Sequence, residues 1–230
     1  MEYFIIANWK SNLALSEVEE WLDDFEELYE KTGDVTVGIA PAFTEIVSVS
    51  DGLNQLEMYD IILMAQDIGE FDKGKHTGSV SGYHLDDIGV EAVIIGHSEH
   101  RKEFNESDEL INQKIAQALK YKIKPVVAVS NIKQVESIAK GKFNNSELVI
   151  AYEPLESIGG GNPAEEDEVL SFMAQVKKVL GDNVATIYGG SVDSKDVERY
   201  LDHAEIEGFL VGTASLDPEE FVGIINRVSG

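Results

Sequence analysis

The feature that most constrains this chain is its alternation. Eight short runs of apolar or β-branched residues, at 4–7, 35–40, 61–65, 92–95, 125–129, 148–152, 185–188 and 208–211, are separated by longer segments, several of them with helical spacing. Val18, Trp21, Leu22, Phe25 and Leu28 recur at three and four residues, and so do Val169, Phe172, Met173, Val176 and Leu180. Ser16 with Glu19 predicts a capping-box start for the first helix, and Asp217, Pro218 and Glu220 predict a cap, a first-turn proline and a reciprocal acid for the last. Gly181 predicts a helix stop after Leu180. Strand and helix thus alternate about eight times, with no Pro/Gly/Ser-rich linker, low-complexity tract or compositional shift to divide them. The expectation is an α/β fold, one (β/α)8 barrel spanning residues 1–230 as a single domain. A doubly wound open sheet is the rival, because alternation alone does not close a sheet. In both folds the chemistry belongs at the carboxyl ends of the strands.

Composition narrows the chemistry. With no cysteine, disulfides, thiolate nucleophiles and Cys-type metal sites are excluded, which leaves carboxylates, imidazoles, ammonium groups and backbone dipoles. No apolar run approaches the roughly 20 residues of a membrane span, and the start lacks a basic n-region, so a soluble cytoplasmic protein with no membrane partner is expected. The 43 acidic against 18 basic residues give a formal charge of −25, which repels nucleic acid and anionic lipid at long range. An anionic substrate would have to be held by local dipoles and a nearby cation.

The strand ends supply such groups. Asn8-Trp9-Lys10 follows the first strand and would bring an amide and an ammonium to the barrel mouth, although lysines after strands are also common on solvated surfaces. Gly96-His97-Ser98-Glu99-His100-Arg101 follows the fourth; a lone histidine is usually a satisfied core residue, but His97 stands among further polar groups at the mouth. The sixth strand ends in Glu153-Pro154, then Leu155-Glu156-Ser157-Ile158-Gly159-Gly160-Gly161, a carboxylate leading into a glycine-rich segment that reads as an acid-base group on a hinged lid or as a solvated glutamate before a flexible turn. Tyr188-Gly189-Gly190-Ser191 and Gly212-Thr213-Ala214-Ser215 follow the seventh and eighth strands, where barrels expose backbone N–H groups to a phosphate.

Taken in order across nearly the whole chain, Asn8-Trp9-Lys10, Gly96-His97-Ser98-Glu99, Ala151-Tyr152-Glu153-Pro154 with Ile158-Gly159, Tyr188-Gly189-Gly190-Ser191 and Gly208-Phe209-Leu210-Val211-Gly212 resemble the signatures of the triosephosphate isomerase family. The resemblance implies a cofactor-free TIM-barrel isomerase of glycolysis and gluconeogenesis, with a triose phosphate as its small-molecule substrate. By it, Glu153 would be the base, His97 would polarise the carbonyl, Lys10 would stabilise the enediolate, Asn8 would hold the substrate and Glu99 would support them. Gly159 N–H, Ser191, Gly212 and Thr213 would grip the phosphate under a lid running from Pro154 to Gly161. The segment from Gln66 to Gly78 resembles the family's third loop, which would place Thr77 in a partner subunit's site and imply a homodimer. A trimmed stretch between strands five and six is similar to archaeal relatives and admits a homotetramer.

The chain departs from the family pattern at Glu156, where tryptophan is usual, at Gly160 in place of threonine, at Ser130-Asn131 and at His100 in place of arginine. Each added lid glycine costs about 0.5–1 kcal/mol of ordering entropy. Two other readings are a barrel enzyme acting on a larger phosphorylated substrate, and a catalytically weak phosphate-binding barrel acting as an interaction protein.

Overall fold

The computed structural model describes residues 3–31, 33, 35–157 and 162–230. Eight parallel strands, β1 (Tyr3–Asn8), β2 (Val35–Ala40), β3 (Ile61–Ala65), β4 (Ala92–Ile95), β5 (Lys124–Val129), β6 (Val149–Tyr152), β7 (Ala185–Tyr188) and β8 (Gly208–Val211), lie at the eight apolar runs. β1 pairs with β2 along its whole length and with β8 from Phe4↔Gly208 to Ala7↔Val211, so the sheet closes on itself. Closure removes both edges that an open doubly wound sheet would leave unpaired, and the (β/α)8 barrel is the architecture.

Successive side chains of a strand point to opposite faces, and this divides the core in two. Phe4 and Ile6 of β1, Met64 of β3, Ile94 of β4, Val126 of β5 and Leu210 of β8 belong to a cluster that fills the barrel. Their alternates, among them Ile5, Val37, Ile39, Leu63, Val93 and Ile95, pack outward beneath the helices. The barrel is therefore solid below its mouth, and polar side chains can gather only at the strand ends.

The α-helices are α1 (Leu15–Leu28), α2 (Ile46–Gln55), α3 (Gly82–Asp87), α4 (Ser98–Glu103), α5 (Asp108–Lys120), α6 (Ile132–Lys140), α7 (Glu166–Leu180) and α8 (Pro218–Ser229). They do not follow one per strand. Two come after β4, parted at Asn105 with φ 54°, whereas β7 and β8 are joined through a 3-10 turn at Asp196–Tyr200. α1 begins earlier than expected: its N-cap is Ala14, whose N–H donates to Glu17 Oε2 at 2.7 Å, so Glu17 and not Glu19 closes the first turn and Ser16 lies inside the helix. α8 begins as predicted, with Asp217 Oδ1 accepting from the Glu219 and Glu220 N–H groups. Glu220 does not return to that cap; its Oε1 accepts from Ser194 N–H at 2.6 Å, tying α8 to the loop after β7. Gly181, at φ 94°, ends α7 as expected.

The stripe of α1 buries Trp21 and Phe25, stacked 4.8 Å apart, with Trp9 edge-on to Trp21 at 4.7 Å and Phe221 of α8 tilted against both. A large apolar side chain buried in this way contributes about 1.5–3 kcal/mol. This aromatic block sits directly under the segments after β1 and β8. Among the described residues, no helix is long and apolar enough to cross a membrane.

Candidate active site

At the end of β1, Asn8 and Trp9 are buried while Lys10 turns back toward the barrel axis with φ 53°, a left-handed conformation that non-glycine residues rarely take. Three contacts hold that turn. Trp9 is anchored in the aromatic block, Asn8 Oδ1 accepts from Lys10 N–H at 3.1 Å, and Gln66 Nε2 donates to Lys10 O at 2.8 Å. The ammonium donates to Glu99 Oε1 at 2.8 Å. Burial disfavours the charge on Glu99, but the hydrogen bond from Lys10 and the positive groups around it hold its carboxyl below the usual range.

After β4 comes Gly96, whose φ of 73° turns the chain so that His97 caps α4. Two N–H groups of the first turn of α4 are aimed into the site. Glu99 N–H donates to His97 Nδ1 at 3.3 Å, and Ser98 N–H donates to Glu153 Oε2 at 3.0 Å. Because Nδ1 accepts, the imidazole proton sits on Nε2, which faces Glu153 Oε1 at 3.0 Å. Both oxygens of this buried carboxylate are thus occupied, one by the helix N-terminus and one by the histidine. Gly189 at the end of β7 leaves the room for it: a Cβ there would stand 3.1 Å from Glu153 Cγ and 3.3 Å from the Tyr152 carbonyl.

Asn8, Lys10, His97 and Glu153 line one wall of a cavity of about 80 Å³, and Gly189, Gly190, Ser191, Gly212 and Thr213 line the other. Four polar side chains from the ends of β1, β4 and β6 therefore share the cavity with two strand ends, of β7 and β8, carrying small residues and backbone. Lys10 is the one lysine or arginine among the described residues of that lining. The segment after β8 forms a 3-10 turn at Thr213–Leu216, pinned where Trp21 Nε1 donates to Ser215 O at 3.1 Å. The segment after β7 is pinned by Glu220.

Glu99 does not line this cavity. It stands behind Lys10, bordering a second opening of about 340 Å³ that also reaches Gln66, His100 and Phe104. Of the expected lid, Pro154 and Ser157 are buried, Leu155 and Glu156 are exposed, and Ser157 N–H donates to Pro154 O. Ile158, Gly159, Gly160 and Gly161 lie outside the described residues, and so does the expected Gly159 contact. Beyond the lid, Ala164 is held from both sides: its N–H donates to Tyr188 Oη at 2.8 Å, and Tyr200 Oη donates to its carbonyl at 2.6 Å. Burial pushes the Tyr188 hydroxyl above its ordinary value, so it remains a neutral partner.

Thr77 is exposed on the 69–80 loop, whose base closes where Gly69 N–H donates to Val80 O at 2.7 Å. Below that loop Asp67, His100 and Glu106 bring ligand-type atoms within 4.8 Å of one another. The buried Lys114 ammonium occupies the space between the carboxylates, 2.7 Å from both Asp67 oxygens and bonded to Glu106, which makes the cluster an ion-pair network. His100 Nδ1 completes it, 3.1 Å from Glu106 Oε1.

Sequence reasoning missed three contributors. Ser98 and Tyr188 lay within motifs already singled out, but their bonds to Glu153 and Ala164 need tertiary geometry. In the sequence Gln66 marks only the start of the loop after β3, and its bond to the Lys10 carbonyl likewise needs tertiary geometry.

The triosephosphate isomerase family model matches residues 3–228. Similar curated proteins include the triosephosphate isomerases of Mesomycoplasma hyopneumoniae (strain 232), at 37% identity over 98% of this chain and 99% of that protein, and of Thermodesulfovibrio yellowstonii, at 38% over 96% and 98%. The enzyme of Aquifex aeolicus is 33% identical over 98% of this chain and 99% of its own length. With the barrel closed, the strand-end groups assembled and the match running from first strand to last helix, this chain belongs to the triosephosphate isomerase family.

Proposed function

We propose that the protein interconverts glyceraldehyde 3-phosphate and dihydroxyacetone phosphate, as in glycolysis and gluconeogenesis, by proton transfer through an enediolate. The observation that carries this reading is the single cavity in which Glu153, His97 and Lys10 face the backbone of the segments after β7 and β8. The phosphate seats against Ser191, Gly212 and Thr213, with Gly159 of the lid as the further expected contact, where backbone dipoles act at short range despite the charge of −25. Asn8 and Lys10 hold the oxygens of the reacting carbons. His97 donates its Nε2 proton toward the carbonyl oxygen, and Glu153 takes the proton from the neighbouring carbon and returns it to the other. Electrons stay within the substrate, so the reaction balances without an oxidant or reductant.

In the structure Nε2, which carries the proton, stands 3.0 Å from Glu153 Oε1 as an ion-pair contact. A substrate carbonyl competes for that proton, and the carboxylate, freed from His97, swings toward the carbon in the space left by Gly189. Pro154 joins Glu153 directly to the lid, so closure and the swing are one movement, and closure also excludes water from an enediolate prone to lose phosphate. Glu99 holds the Lys10 ammonium in register from behind.

The second opening beside Lys10, bordered by the exposed Phe104, fits the 69–80 loop of another copy, which presents Phe71 and Thr77. The working form is therefore at least a homodimer, and a homotetramer would be a pair of such dimers. A substrate of this kind supports a cytoplasmic location. A coupled assay on the purified protein tests the activity: turnover of glyceraldehyde 3-phosphate is expected, with bulkier sugar phosphates refused. Absence of triose phosphate turnover in the folded protein would leave the interaction-protein reading in its place.

A further inference from the structure

We propose that Gln66, at the end of β3, is a positioning residue that keeps Lys10 in its left-handed turn and so keeps the ammonium at the reacting centre; the proposal rests on the role assigned above to Lys10. The side chain of Gln66 donates through one nitrogen to two backbone carbonyls, Lys10 O at 2.8 Å and Ala40 O at 2.9 Å. Ala40 O also accepts from Trp9 N–H at 3.2 Å. One amide group therefore clamps the segment after β1 to the end of β2, from a residue of the next strand along. The clamp falls on the residue that most needs one, because Lys10 sits at φ 53°, a conformation that costs of order 1–3 kcal/mol unless the surroundings enforce it.

The other restraints do not replace it. Asn8 Oδ1 fixes the N–H of Lys10, and Glu99 fixes the ammonium at the far end, but Gln66 is the side chain that grips the carbonyl. Releasing that carbonyl lets the residue relax toward negative φ, which redirects its Cα–Cβ bond and carries the ammonium away from the cavity it shares with His97 and Glu153. Donation is what the site needs from this residue. A carboxylate at the same position can only accept, and it would face two carbonyl oxygens.

Three single variants and one double variant test this. Gln66→Met, of similar volume and without a donor, is expected to lower kcat/KM by roughly ten- to a hundredfold, since displacing a catalytic group by about 1 Å costs that much. Gln66→Glu is expected to be equally impaired at neutral pH and to recover part of the loss relative to wild type as the pH is lowered and the carboxyl regains a proton to donate. In the Lys10→Ala background, Gln66→Met should cost little further, because the group it positions is gone. A Gln66→Met enzyme with full kcat/KM, equal additional loss in the Lys10→Ala background, or a Gln66→Glu defect that does not lessen at low pH would overturn the proposal. If Lys10→Ala itself kept most of its activity, the role of Lys10 would fall and the proposal with it. A crippled Lys10→Ala beside an unimpaired Gln66→Met would sink the proposal alone.

Discussion

At the scale of the residue, the site depends on placement to within a fraction of an ångström. Glu153 reaches His97 Nε2 and Ser98 N–H at 3.0 Å each, with Gly189 leaving free the space beside its Cγ that a Cβ would crowd. Removing one methylene withdraws the carboxylate from the carbon it must reach, so Glu153→Asp should lower kcat by two orders of magnitude or more. The fold should change little: weakening the Ser98 N–H bond and the His97 contact of a buried carboxylate costs about 1–2 kcal/mol, or roughly 2–8 °C in Tm for a chain of this size. Steady-state kinetics beside thermal unfolding decides it, and near-wild-type turnover would remove Glu153 from the role of base.

At the scale of the element, α8 and the β3–α5 region each carry a dependence that no single motif displays. Glu220, in the first turn of α8, holds the loop after β7 through Ser194 N–H at 2.6 Å, three residues beyond Ser191, which lines the cavity where the phosphate is proposed to seat. Glu220→Ala is expected to raise KM severalfold while leaving kcat nearly unchanged, and Glu219→Ala, with its exposed side chain, should do neither; equal behaviour of the two variants would show that the loop needs no such tie. Where β3, α4 and α5 meet, Lys114 balances one of the two carboxylates of Asp67 and Glu106, so a protonated His100 neutralises the second. The hydrogen bond to Glu106 raises the His100 pKa above its ordinary 6.5, against the opposing effect of burial. A raised pKa means the stabilisation is complete below the unfolded value and is lost as the pH climbs through the folded one. The Tm difference between wild type and His100→Gln should therefore shrink as pH rises from about 6 to 8. A difference independent of pH would mean that His100 acts through packing alone.

At the scale of the whole molecule, a formal charge of −25 surrounds a site built for an anion. Surface acids are screened beyond about 8 Å at physiological ionic strength, whereas an ammonium in contact with substrate is not. Lys10→Ala should consequently lose most kcat/KM at every salt concentration, while Glu19→Gln, Asp23→Asn and Glu27→Gln together on the exposed face of α1 should change it modestly and chiefly at low salt. A larger effect from the α1 variant would overturn the local electrostatic account. Light scattering at assay concentration should find at least a dimer. A fully active monomer would show that the 69–80 loop and the opening beside Lys10 serve no partner.

The eight strands were legible in the sequence to within a residue at each end, because a strand buried in a barrel needs an apolar run of that length and little else. The site motifs were legible because barrel chemistry collects at strand ends, which are sequence landmarks. The helix starts were less so: Ser16 with Glu19 matched a capping pattern, but Ala14 with Glu17 formed it, since the choice between two acids two residues apart is made by where the aromatic block seats Trp21 and Phe25. Closure of the sheet, the union of Asn8, His97 and Glu153 in one cavity, and the reach of Gln66 to Lys10 and of Glu220 to Ser194 were decided only in three dimensions. Local sequence specifies the period and the ends of an element, whereas contacts between residues far apart in the chain exist only once packing has fixed how those elements lie against each other.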